Sequence, residues 1–170
     1  MTAIINGAIQ DEFSGNISTD GYITGKKVGV FAALNASADT TVTTAGTYYP
    51  IAGTFTNDPF EDFGAATVHT PGIKYEGTLT QYFEIDWHAT LSANGNNKTV
   101  ICAVEKNGVV VTSSQMGKFC KTSGELYNAS GTCVIELAED DEIQLVVTSS
   151  GNGDIITFAN YTTSITEFFD

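Results

Sequence analysis

Residues 82–91 alternate without a break. Phe83, Ile85, Trp87, Ala89 and Leu91 fall on one side, and Tyr82, Glu84, Asp86, His88 and Thr90 on the other. Successive side chains of a strand point to opposite faces, so this segment is a strand with one core face and one wetter face. Asn94-Gly95 and Asn107-Gly108 follow as turn signals. Further strands are predicted over residues 100–105, 109–112, 132–138, 142–148, 155–159 and 162–169. Earlier ones are predicted at 40–44, 54–56, 66–69 and 73–76. Asn57-Asp58-Pro59 reads as a loop and Pro71-Gly72 as a turn. Residues 139–142 and 151–154 read as hairpin tips. No window keeps apolar residues at helical spacing with caps, and no fixed-period repeat occurs. The pattern predicts an all-β antiparallel sandwich or barrel.

Two strands break the alternation in an informative way. Val100, Cys102 and Val104 on one face, with Ile101 and Ala103 on the other, make 100–104 apolar on both sides. Leu145, Val146 and Val147 behave likewise. A strand buried on both faces needs cover on its second side. In a two-layer sandwich without helices that cover is the N-terminal segment or another subunit. Residues 1–38 have a different texture, with short apolar runs and Gly punctuation, and read as an arm, a linker or early strands. The expected division is an N-terminal arm or docking segment over 1–38 and a sandwich domain over 39–170.

Composition narrows the function classes. The chain has 170 residues, 42% hydrophobic and only 16% charged, with net charge -13. Every basic residue is Lys; there is no Arg. Without Arg, and strongly acidic, the chain is not expected to bind nucleic acid or an anionic membrane. No apolar run approaches the ~18 residues needed to span a bilayer. The three thiols, Cys102, Cys120 and Cys133, show no CxxC spacing. With no secretory signal recognised at Met1, reduced thiols made in a cytoplasm are expected. Cys120 and Cys133 flank the 123–131 loop and are open to facing each other. Five Asn-x-Ser/Thr triplets, at Asn16, Asn35, Asn97, Asn128 and Asn160, are read as a by-product of polar β composition.

Chemistry-bearing residues do not converge. His88 shares a face with Asp86, two residues away, but no third metal ligand is visible, so a surface pair is the expectation. Glu139-Asp140-Asp141-Glu142 is the densest acidic run and lacks EF-hand spacing; it reads as a solvated tip, like Glu61-Asp62. A weak calcium site between loops or subunits is left open. There is no Gly-x-Ser-x-Gly, no dinucleotide or phosphate loop, and no singled-out carboxylate pair. The expectation is no catalytic residue, no cofactor and no metal.

Resemblance adds more. Residues 81–91, the 106–110 hairpin, residues 135–145 with their charged turn, and 158–169 resemble the trimeric jelly-roll domains of the complement and tumour-necrosis-factor type. Residues 51–59, 81–90 and 106–109 also resemble the decoration, head-fibre and tail-fibre domains of tailed phages. The resemblance implies a jelly-roll-like homotrimer without an active site. Its core and trimer packing would come from Phe83, Ile85, Trp87, Val100, Ile101, Val104, Leu145 and Val147. It implies a structural protein on the outer surface of a virion, made in the host cytoplasm. Residues 1–38 would dock on the major capsid protein or another virion protein. The alternative it implies is a tail-fibre domain that binds a receptor or host glycan, with Tyr48, Tyr49 or Tyr127 as candidate aromatics. A secreted signalling or lectin-like domain, and last an enzyme, are the weaker readings.

Overall fold

The structure, a computed structural model, describes residues 37–53 and 62–168, together with the backbone of short strands within residues 4–34 and 55–56. Strands β1 (Ile4–Ile5) and β2 (Ala8–Ile9) pair with each other, as do β3 (Asn16–Ile17) and β4 (Ile23–Thr24). The remaining strands are β5 (Val28–Leu34), β6 (Ala38–Val42), β7 (Tyr49–Pro50), β8 (Phe55–Thr56), β9 (Phe63–Ala65), β10 (Gly72–Tyr75) and β11 (Gln81–Ala93). They continue with β12 (Lys98–Lys106), β13 (Val109–Val110), β14 (Met116–Cys120), β15 (Tyr127–Leu137), β16 (Glu142–Ser149) and β17 (Asp154–Phe168).

These form two antiparallel sheets. The seven-stranded sheet runs β13-β12-β16-β10-β9, with β14 also on β12 and β7 also on β16. The six-stranded sheet runs β15-β11-β17-β5-β8, with β6 also on β17. From β10 onward the chain crosses between the sheets at almost every turn: β10 in the first, β11 in the second, β12 to β14 in the first, β15 in the second, β16 in the first, β17 in the second. This is a jelly-roll-like sandwich. The segment expected to be an arm, 1–38, contains β5, which pairs with the last strand through Thr162 to Ala33 and Thr166 to Val28.

The crossing pattern corrects several turn expectations. Asn107-Gly108 is a true hairpin turn between paired strands, with φ of +50° and +80°. Asn94-Gly95 is not: it lies at a corner where β11 leaves one sheet and β12 joins the other, and the left-handed residue there is Asn97, φ +57°. The 139–142 and 151–154 tips are likewise corners between sheets. The strands predicted at 155–159 and 162–169 are one 15-residue strand, β17, because it is central and paired on both sides. The break in alternation is a bulge: Asn160 faces Thr90 and Phe158 faces Leu91, leaving Ala159 unpaired on that side. Residues 109–112 do not run on as a strand. Thr112–Ser114 makes one 3-10 turn, and the Ser114 hydroxyl accepts from Val104 N–H and donates to the Val111 carbonyl. The edge strand β14, for which the pattern gave no expectation, is held on β12. The Asn57-Asp58-Pro59 loop lies outside the described residues.

The core lies between the sheets. Phe83, Ile85, Trp87, Val100, Val104, Leu145 and Val147 all belong to its buried cluster. Phe63, Tyr75 and Phe83 form an aromatic trio with ring centroids 5.1–5.3 Å apart. The two edge-to-face pairs, Phe63–Phe83 and Tyr75–Phe83, each add about 0.5–1.5 kcal/mol beyond area burial. Ile101 stands half-buried on the opposite face of β12.

Candidate functional site

The two sheets differ on their outer faces. On the seven-stranded sheet every residue of β16 is buried, as sequence alone implied for 145–147. Ala103 and Val146, side by side in the β12–β16 ladder, are fully buried within the single chain. The second side of these strands is therefore covered by the chain itself, and needs no other subunit. Pro50 of β7 flanks Val146 in the sheet. Against one end of this face, at Glu142 and Glu105, lies the loop 66–71, and its anchor is Glu142.

Glu142 was expected at a solvated tip and is 5% exposed. Its carboxylate accepts from the backbone N–H of Thr67 (2.7 Å), Val68 (3.0 Å) and His69 (2.7 Å), and from the Thr67 hydroxyl (2.9 Å). Burial disfavours its ionised form, but the hydrogen bonds from His69, Thr67 and Val68 outweigh it and hold the carboxyl at about 2. This explains why 66–69 is not the strand its residues suggest. Its N–H groups turn to one carboxylate instead of a ladder, and the strand is β9, just before it. His69 Nδ1 lies 3.5 Å from Glu105 Oε1, and Gln144 Nε2 donates to the same oxygen at 2.5 Å. Gly72 lets the loop approach: a Cβ there would stand 2.3 Å from the His69 carbonyl oxygen and 2.5 Å from that of Ile143. Neighbouring charges are tied as well. Asp141 bonds Lys106 at 2.7 Å, the Asn107 amide at 2.6 Å and the Ala138 N–H at 2.7 Å. Only Glu139 and Asp140 of the acidic run stand exposed.

The outer face of the six-stranded sheet carries no such loop among the described residues, and its two ends differ. At one end Tyr82 (48% exposed), Val134 (45%) and Phe168 (49%) stand out of the sheet. Tyr82 pairs with Glu136 on one side and Phe168 on the other, and Val134 faces Glu84 one position along. The three thus share one patch with Glu84 and Glu136 around it. At the other end His88, Thr90, Asn128, Ala129, Ser130 and Asn160 line a shallow concavity of about 410 Å³. The sequence did carry the signal for the apolar end: Tyr82 is an aromatic residue on the wetter face of the alternating strand. Of the residues picked for packing, all but Ile101 are seated between the sheets.

The remaining sequence candidates are dispersed. His88 is exposed and Asp86 half-buried. Among the described residues no group of three or more His, Cys, Asp or Glu is placed to hold a metal ion. Tyr48, Tyr49 and Tyr127 are half-buried. The Tyr127 hydroxyl accepts from Lys121 and Thr122 N–H and donates to Glu125, which knots the 121–126 loop. The Tyr49 hydroxyl is bonded to Thr43 and Thr44. All three cysteines are free and buried. Burial pushes Cys102 up to about 12 and Cys133 up to about 11, and raises Cys120. Such thiols are poor nucleophiles. Cys120 on β14 and Cys133 on β15 belong to different sheets, and neither is in a disulfide.

In sequence, the chain matches no protein-family model and no curated protein. In fold it is similar to two solved structures of tumour-necrosis-factor type. Murine APRIL superimposes with a TM-score of 0.51 at 7% identity, covering 82% of this chain and 98% of that one. The Eiger TNF of S. frugiperda gives 0.47 at 8% identity, covering 83% and 94%. At such identities the likeness to murine APRIL is one of fold: the chain is a TNF-like jelly-roll β-sandwich.

Proposed function

We propose that this chain is a non-enzymatic structural protein of a tailed-phage virion. It self-associates as a homotrimer through the apolar end of the open outer face of the six-stranded sheet. The observation that carries the self-association is the exposed trio Tyr82, Val134 and Phe168 on a sheet face that no loop of the described chain covers. Clustered exposed apolar side chains rimmed by polar ones mark interaction surfaces, whereas scattered single ones do not. On the opposite sheet the loop 66–71 closes the Glu142 end, and Phe119 stands 55% exposed on the β14 edge beside Thr99. Three copies, each at net charge -13, would give a strongly acidic particle surface. That suits the outside of a capsid, where like charge keeps particles apart, and suits a genome-facing position badly. Separated, buried thiols suit synthesis in a reducing host cytoplasm. The residues ahead of β5 serve as the docking segment toward the major capsid protein. The sequence resemblance to decoration and head-fibre domains supports this placement. Gold-labelled antibody on intact virions tests it: label spread over the head supports decoration, label at the tail tip moves the protein to a fibre, and unlabelled virions would exclude the virion reading.

A further inference from the structure

The polar end of the open sheet face carries none of the exposed trio Tyr82, Val134 and Phe168. It lies on β11, β15 and β17, where His88 pairs with Ser130 and Thr162, and Thr90 with Asn128 and Asn160. The bulge at Ala159 falls at this point of β17 and brings Ala159 and Asn160 out as adjacent exposed residues. Bulges of this kind re-aim side chains. The concavity of about 410 Å³ is within the range of small-ligand sites.

Its chemistry is selective. The lining carries two amides, two hydroxyls and an imidazole, and no Lys, Asp or Glu. Thr90 Oγ1 donates to Asn128 Oδ1 at 2.9 Å, which leaves the Asn128 amide nitrogen as a donor. Among the described residues no protein group bonds the side chains of His88, Ser130 or Asn160. A phosphate or carboxylate ligand would find no cation here, and a metal ion no carboxylate. An apolar ligand would strand the side chains of His88, Ser130 and Asn160 and the Asn128 amide nitrogen. A neutral molecule dense in hydroxyls would instead find donors and acceptors side by side.

We propose that this concavity is a binding site for a neutral saccharide. Asn128, Ser130 and Asn160 bond sugar hydroxyls, and His88 flanks them. The open shape and the absence of an aromatic platform in the lining make each site weak, so binding at a surface depends on several copies engaging together. The proposal does not rest on the virion reading.

The test is an amide-resolved NMR titration of the full chain with galactose, mannose and N-acetylglucosamine, with sialic acid as the charged comparison. Saturable shifts at residues 88, 90, 128, 130 and 160 with a neutral sugar are expected. Ser130→Ala with Asn160→Ala should weaken them at least about tenfold, the equivalent of one or two lost hydrogen bonds. Ser113→Ala, on the remote 3-10 turn, should change nothing. No shift with any neutral sugar, or shifts only with sialic acid, would overturn the proposal. So would a double variant that keeps sugar binding but loses its oligomeric mass, which would assign the concavity to contact between copies. Mass is read on the same samples by light scattering, so a failure of the trimer and a failure of the sugar site are told apart.

Discussion

The outer faces of the two sheets are built from similar strands and end up with opposite fates. On the seven-stranded sheet, β16 is buried along its whole length, and the loop 66–71 is tied to its first residue by the Glu142 carboxylate. On the six-stranded sheet, β11, β15 and β17 alternate between core and solvent, and Tyr82, Val134 and Phe168 stand exposed. The difference teaches where a partner is needed. A sheet apolar on both faces does not by itself call for a second subunit, because Ala103 and Val146 are fully buried within the single chain. Apolar side chains on an otherwise polar, uncovered face are the better mark of association.

The comparison can be broken on its closed side first. Gly72→Ala forces a Cβ against two backbone oxygens that cannot move cheaply. A loss of about 3 kcal/mol is expected, seen as a lower urea midpoint. Glu142→Ala strands the N–H groups of Thr67, Val68 and His69 and should cost about 2 kcal/mol, softened because the freed loop can reach water. Acid has the same target. The Glu142 carboxyl titrates at about 2 in the fold against an ordinary 4.5. Its contribution is fully present above pH 4.5 and lost as the pH falls toward 2. Thermal melts should show the gap between wild type and Glu142→Gln shrinking across that window. On the open side the effect moves from folding to association. Val134→Asp should leave the monomer's stability within about 0.5 kcal/mol yet weaken self-association roughly tenfold by sedimentation. The smallest expected effect is on the thiols. None of Cys102, Cys120 or Cys133 should react with a thiol reagent until the protein is unfolded.

Much of this was legible in the chain, and the misses have physical reasons. The alternation in 82–91 places Phe83, Ile85 and Trp87 in the core because a two-residue period admits one reading. Asn107-Gly108 is a hairpin because both residues adopt positive φ. Asn94-Gly95 looks the same in sequence and is a corner, since local turn chemistry does not say which sheet the next strand joins. Glu142 reads as one acid in a run of four; its partners are more than 70 residues away and are backbone groups, which carry no residue signature. The concavity was illegible for a related reason. It draws on three strands, and its bulge depends on the pairing of β11 with β17. Tyr82 was the exception, a visible anomaly in the polar face of a predicted strand.

The central claim is that the open face, and not the closed one, joins copies of this chain. Sedimentation equilibrium at micromolar concentration tests it most directly, on wild type beside a Tyr82→Glu, Phe168→Glu double variant. The expected masses are three times 18.0 kDa for the wild type and 18.0 kDa for a variant that still melts cooperatively. A wild type at 18.0 kDa, or a folded variant that keeps the wild-type mass, would contradict it.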